Sequence, residues 1–274
     1  MNRTSSPGPH AFAFWLAVGA LLLLGVLAAF PWLLVAHDPN APNFDALLQP
    51  PGPVHLMGTD KLGRDILARC LYGTRVNLQI AVFATLPSLV IGAVLGTLAA
   101  YRGGWIDAVV SRLTDVVVTF PFMVLVIAIV SILGPGLGNM YIAVGMVGWV
   151  FYARLTRAEV RGQMQLDYAD AGVTLGFSPA RIMFRHLLPN CLPALITYTM
   201  TDMSLSMLLG SALGYLGLGA QPPTAEWGNI IADGKGFIST AWWISFFPGV
   251  FLIGAGLAFT TIGDALAERA RPKL

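Results

Sequence analysis

Apolar residues in this chain gather into long unbroken runs separated by short polar segments. Six of the runs approach or reach membrane-spanning length: residues 11–36, 80–101, 116–133, 137–153, 192–218 and 241–263. A helical span needs about 20 mostly apolar residues. The runs 116–133 and 137–153 fall just short of that, which leaves their ends loosely fixed. Five of the runs hold no charged residue, and the run 192–218 holds only Asp202. Apolar positions recur with helical spacing or all round instead of at every second residue, so ten-residue barrel strands are excluded. The pattern predicts an all-α polytopic membrane protein of six transmembrane helices. Pro31, Pro87, Pro121 and Pro248 lie inside runs. With 30 glycines they predict kinks and close helix contacts, although each alone is also ordinary packing.

Composition agrees with the pattern. Of 274 residues 56% are hydrophobic and 11% charged, against about 25% charged in soluble domains. The Lys and Arg residues then choose an orientation. With a cytoplasmic N-terminus, one side collects Arg3, Arg102, Arg112, Arg154, Arg157, Arg161, Arg181, Arg185, Arg269, Arg271 and Lys273, and the other only Lys61, Arg64, Arg69, Arg75 and Lys235. Both termini are therefore expected inside. The implied division is a cytoplasmic N-terminus (1–10), a first span (11–36), an external loop (37–75), a core of five spans (76–264) carrying a cytoplasmic loop (159–191), and a cytoplasmic C-terminus (265–274). A secretory signal is the rival reading of the N-terminus. The 26-residue run 11–36 exceeds the usual signal core of about 7–15 residues, so a retained span is favoured. Cys70 and Cys191 fall on opposite sides with no metal-ligand spacing and read as structural. A net charge of +2 gives no footprint for nucleic acid.

The polar segment 167–190 lies between two of the runs. Asp167 to Leu175 suits a short helix, and Gly176 suits the left-handed residue that ends one. Ser178 and Pro179 then make a helix cap and first helical residue, with Pro189 expected to stop the second helix before the next span. Small residues at Ala169, Ala171 and Gly172 would bring the first helix close to a partner groove. The alternative is an amphipathic connector on the membrane, with Arg181 and Arg185 on lipid phosphates.

Within the runs, Asp202 is the exception. An intramembrane carboxylate costs about 2.5–3.5 kcal/mol on insertion scales and normally faces a cavity or a partner. Thr199, Met203 and Ser206 are placed to share a stripe near it. A translocation path is one reading of that group and hydrogen-bonded packing is the other; Met200, Met203 and Met207 are ordinary core fillers unless a soft metal passes. In the external loop, charges alternate through Asp60-Lys61-Leu62-Gly63-Arg64-Asp65 to Arg69, predicting a compact salt-bridged loop of about 0–1 kcal/mol per exposed pair. There is no phosphate loop, no His-Glu-x-x-His and no Gly-x-Ser-x-Gly. A membrane enzyme is disfavoured, and a proton-coupled carrier would carry more intramembrane ionisable groups than one.

Three segments carry a family resemblance. Asp170-Ala171-Gly172, then Gly176, His186 and Leu188-Pro189, keep the spacing of the cytoplasmic loop of ABC-importer permeases, Glu-Ala-Ala, three residues, Gly, nine residues, Ile, one residue, Leu-Pro. Gly172 departs from the second alanine. Gly58-Thr59-Asp60-Lys61-Leu62-Gly63-Arg64-Asp65 resembles the external Gly-Thr-Asp-x-x-Gly-Arg-Asp of the peptide and nickel branch, and Tyr215-Leu216-Gly217-Leu218-Gly219 followed by Pro223-Thr224-Ala225-Glu226-Trp227-Gly228 resembles its Phe-Leu-Gly-Leu-Gly and Pro-Thr-x-x-Trp-Gly. The whole resembles a C-type permease subunit of a dipeptide, oligopeptide or nickel importer. The resemblance implies the type I ABC-importer permease fold in a bacterial inner membrane, and a translocation path shared with a second, homologous permease. It also implies an external substrate-binding protein and two ATP-binding subunits that hold ATP and Mg2+, this chain binding no cofactor and no metal. It gives ATPase coupling to Tyr168, Ala169, Asp170, Ala171, Gly172, Gly176, Arg181, His186, Leu188 and Pro189.

Overall fold

The computed structural model describes residues 9–35 and 37–270. The expected positions of Arg3, Ala36, Arg271 and Lys273 lie outside them. Ten α-helical elements follow in order: α1 (Pro9–Ala29), α2 (Ile66–Arg102), α3 (Gly104–Thr119), α4 (Phe122–Leu133), α5 (Leu137–Gln163), α6 (Asp167–Thr174), the single turn α7 (Pro179–Arg181), α8 (Leu188–Tyr215), α9 (Trp227–Gly234) and α10 (Trp243–Ala270). The described residues hold no strand, only an isolated bridge between Thr59 and Asp65.

Three helices, α1, α2 and α10, are long and apolar enough to cross a membrane, and a fourth crossing arises if α3 and α4 are one bent span. The remaining two expected spans are α5 and α8, of 27 and 28 residues. They have the length, but glycines, hydroxyls and Tyr dilute their hydropathy because both are packed in the middle of the bundle. Six crossings are compatible with this arrangement. An even number also agrees with the chain ends: the Arg269 guanidinium of α10 sits 4.3 Å from the Phe14 ring centre of α1, which places the start of the first helix beside the end of the last. Exposed Phe12, Trp15, Leu16, Leu22 and Leu23 give α1 a lipid-facing surface.

Helices α5 and α10 run past their apolar runs, to Gln163 and Ala270, and three further boundaries differ from expectation for a local reason. Helix α2 begins at Ile66, inside the expected external loop, because Asp65 caps it by accepting a hydrogen bond from the Ala68 N–H at 2.7 Å. Run 116–133 is not one helix. Pro121 cannot donate to the preceding turn and disfavours helical backbone at Phe120, and the chain bends by 92° between α3 and α4. Helix α1 ends at Ala29, just before Pro31 opens a 3-10 turn. Pro87 and Pro248 do lie inside helices.

The centre of the bundle is the pairing of α2 with α5, the most extensive helix contact in the fold. Gly92 and Gly96, one turn apart on α2, make it possible. A Cβ at Gly92 would stand 2.5 Å from the Trp149 carbonyl oxygen, and one at Gly96 2.5 Å from that of Ala153. Two small residues spaced by three let the backbones touch where larger ones would hold them apart.

Candidate functional site

The polar segment after α5 forms an elbow whose turn is built as its residues dictate. Gly176 has φ +73°. Its N–H donates to the Val173 carbonyl at 2.9 Å and the Phe177 N–H to the Gly172 carbonyl at 3.1 Å, the paired bonds of a Schellman end. Ser178 then caps the next turn by accepting from the Arg181 N–H at 3.3 Å, with Pro179 first in that turn. Phe177 is the hub of the corner. The Arg181 guanidinium lies 3.9 Å from its ring centre and the His186 ring stacks on it at 5.5 Å and 11°.

Two expectations about the elbow are corrected. Pro189 does not stop the second helix. Residues Ile182–Leu187 form a π turn that runs directly into α8, so Pro189 falls in the first turn of a new helix, where a missing N–H costs nothing, and the chain passes on without a break. The small residues also face the other way. Ala169 and Gly172, three apart on one face, are buried against the elbow's own core of Ala100, Val160, Ile182, Leu187 and Cys191, and only Ala171 looks outward. The outward face instead presents Tyr168, Asp170, Val173 and Leu175, the last 70% exposed. A Cβ at Gly172 would meet Ile182 and Phe177 at 3.7 Å, an ordinary contact, so the alanine of the usual pattern would fit.

Asp202 lies half-way along α8, where its carboxylate accepts a hydrogen bond from the Tyr152 hydroxyl at 2.9 Å. The Tyr152 hydroxyl also lies 3.4 Å from Thr199 Oγ1, and Ser206 accepts from Thr85 at 3.2 Å. Asp202 and Ser206 line a cavity of about 500 Å³ whose other walls are mostly apolar: Phe122, Met123, Val144, Phe151, Leu205 and Leu209. Thr199 stands behind that wall, at the Tyr152 hydroxyl. Met203 does not join the stripe; it packs with Met207 against Phe259 on the α10 side, because one residue along a helix is a turn of about 100°.

The external motif is a buried clamp. Asp60, 0% exposed, accepts from Arg64 Nε at 2.7 Å and Arg69 Nη1 at 2.6 Å, and from the N–H groups of Leu62 and Arg64 at 2.8 and 3.0 Å. Both arginines reach on to Asp233 of α9 at 3.2 Å, and Lys61 closes the group on Asp233 at 2.8 Å. Burial opposes the charge on Asp233, but the Lys61 hydrogen bond and the charges of Arg69 and Lys61 prevail and hold its carboxyl below the usual range. The scale for exposed pairs therefore does not apply to this loop. Gly63 has φ +73°, and a Cβ there would collide with the Asn43 carbonyl oxygen. Asp65 accepts from Ala68 and lies 2.7 Å from His55, and Thr59 and Trp243 are tied by a 3.0 Å bond from the indole N–H to the Thr59 carbonyl. Gly58 also adopts a positive φ, beside Trp243.

The third motif is equally interior in its last part, Ala225 to Gly228, whereas Tyr215, Leu216 and Pro223 are exposed. Glu226 caps α9, accepting from Gly228 N–H at 2.8 Å, Asn229 N–H at 3.0 Å and Ser211 Oγ at 2.9 Å, while burial pushes its carboxyl up. Trp227 is fully buried and donates to the Cys70 carbonyl at 3.0 Å, so it is a core residue. Sequence reading missed Asp233, Tyr152 and Tyr198. The first had no motif of its own, and the tyrosines lie in apolar runs where nothing but the fold pairs them with Asp202.

Comparison with known proteins agrees with this geometry. Residues 80–274 match the family described as binding-protein-dependent transport system inner membrane component. A dipeptide transport system permease protein of Alkalihalophilus pseudofirmus is 39% identical over 259 residues, covering 94% of this chain and 85% of that one. A di/tripeptide transport system permease protein of Pseudomonas aeruginosa is 40% identical over 268 residues, 94% and 88% of the two chains. A glutathione transport system permease protein of Pectobacterium atrosepticum is 35% identical over 260 residues, 94% and 86%. In fold, a chain of the inward-facing MetNI methionine ABC transporter superposes with a TM-score of 0.60 at 19% identity, covering 74% of this chain and 96% of that one. A helical bundle interrupted by a capped elbow, together with relatives of this identity over nearly its whole length, makes the chain a member of the binding-protein-dependent transport system inner membrane component family, a multi-pass permease of an ABC importer.

Proposed function

We propose that this chain and a second, homologous permease form the path by which dipeptides or short oligopeptides cross the inner membrane. An external binding protein loads the path, and two ATP-binding subunits, which hold the ATP and Mg2+, drive it through the elbow. The observation that carries the substrate reading is the carboxylate of Asp202 on the wall of a mostly apolar cavity. A protonated peptide amino terminus complements that charge, and peptide side chains suit the apolar wall. Relatives named for dipeptides, di/tripeptides and glutathione favour peptides over nickel. The apolar outer face of the elbow, with Val173 and Leu175 exposed, suits docking in a cleft of an ATPase better than lying on lipid phosphates.

Transport by alternating access requires that ATP and substrate favour different states of the path, since a ligand shifts an equilibrium only through differential affinity. Asp202→Asn keeps size and hydrogen bonding but removes the charge. At subsaturating labelled dipeptide its uptake should fall by about tenfold, as about 1.4 kcal/mol of lost binding would produce, with ATP hydrolysis retained. Uptake equal to wild type at matched membrane abundance would make Asp202 a packing residue. The orientation is read separately. A thiol at half-exposed Lys61 should react in intact cells and one at exposed Asp170 only after permeabilisation, whereas Asp60 and Glu226 are too buried to report.

A further inference from the structure

A second cavity, of about 740 Å³, opens at the elbow end of the bundle. It is lined by polar groups that the cavity at Asp202 lacks: Glu159 and Gln163 of α5, Asn190, Thr197 and Thr201 of α8, and Asp264 of α10. Along α8 the two cavities follow one another from Asn190 to Ala212, about 33 Å at 1.5 Å per residue, close to the thickness of a bilayer core. Among the described residues Tyr198 is the one that lines both. Its ring meets the Tyr152 ring edge-on, centres 4.9 Å apart at 80°. Tyr152 is itself immobilised, 1% exposed and pressed on Gly92, and it holds Asp202 by its hydroxyl. One ring of the pair is thus a fixed post, and the other, half-buried, stands between an apolar chamber and a polar acidic vestibule.

We infer that Tyr198 is the partition between these compartments, a leaf closing on the Tyr152 post that separates Asp202 from the vestibule and sets when an amine-bearing substrate passes from one carboxylate to the next. The inference rests on the path proposed above. Swinging the ring away breaks the edge-on contact with Tyr152 and loosens its packing on Ala93 and Leu195, a change that rearrangement of α8 can drive. The open leaf joins the chamber to Glu159 and Asp264, whose charges favour the departure of a cation toward the elbow side.

The partition is tested with inside-out membrane vesicles from cells carrying the whole importer, with Cys70 and Cys191 replaced by Ala and a reporter Leu209→Cys in the chamber. A bulky, membrane-impermeant maleimide should label the reporter slowly when Tyr198 or Tyr198→Phe is present. It should act about tenfold faster with Tyr198→Ala or Tyr198→Leu, the second variant preserving bulk without the ring. A vestibule reporter, Thr201→Cys, should react quickly in every background. Fast labelling of Leu209→Cys with Tyr198 in place, or no acceleration in either variant, overturns the partition. Protection of Leu209→Cys by saturating dipeptide in the open variants supports the path. Its absence alongside the acceleration overturns the peptide-path reading and leaves the partition standing.

Discussion

The external clamp and the elbow are both short polar segments with a family motif beside a membrane helix, yet they are built on opposite plans. In the clamp, charges are buried and satisfied: Asp60 meets two arginines and two backbone N–H groups, and the arginines continue to Asp233. In the elbow, the charges stay outside and the shape comes from backbone capping around Gly176 and Ser178, with apolar Val173 and Leu175 left bare. A motif whose polar groups are consumed by its own chain holds the fold together. A motif that leaves apolar groups unconsumed offers them to something else.

The contrast is broken most severely at Asp60. Asp60→Ala leaves Arg64 and Arg69 buried without their main partner and should cost about 3–5 kcal/mol. Asp170→Ala, on the elbow's exposed face, should change stability by no more than about 0.5 kcal/mol. Membrane abundance and thermal unfolding of the purified complex check both. If Asp60→Ala proves as mild as Asp170→Ala, the clamp is not a stabilising element.

A smaller and qualitatively different effect is expected at Gly176. A valine there must adopt φ near +73°, at about 1–2 kcal/mol of backbone strain. The bundle should still insert and assemble, but with a distorted corner ATP hydrolysis should no longer drive uptake. Normal dipeptide uptake by Gly176→Val would remove the elbow from coupling. The mildest change sharpens the comparison in the other direction. Gly172→Ala fills space already at van der Waals distance and should stabilise the elbow by about 0.5–1 kcal/mol, read as slower amide exchange in α6 with uptake unchanged.

Much of the elbow was legible because its determinants are local. Gly176, Ser178 and Pro179 dictate a left-handed end, a cap and a first turn from a few neighbouring residues. The positions of the spans were legible from hydropathy in the same way. The direction each helix faces was not, since it depends on packing partners on other elements: Ala169 turned inward toward a cluster that includes Ala100 of α2 as well as Ile182 and Leu187. The glycine count announced close helix contacts, but not that Gly92 and Gly96 would make them, since their partners Trp149 and Ala153 on α5 lie nearly sixty residues away. The clamp was half-legible. Alternating charge announced pairing within the loop, while burial of the pairs required Asp233, supplied by α9 more than 160 residues later.

The unbroken junction between the π turn and α8 gives the elbow mechanical reach. From Ile182 the rod continues through Tyr198 to Tyr215 with Pro193 as its internal soft point. Tyr198 lies about 24 Å from the corner at 1.5 Å per residue. A lever of that length turned by about 5° at one end moves its far point by about 2 Å, more than half the width of an aromatic ring's contact gap. Had Pro189 ended the helix, the same turn would have been spent in a flexible joint. Helical backbone that runs on through the junction makes the corner and the middle of the bundle two points on one arm, jointed only at Pro193.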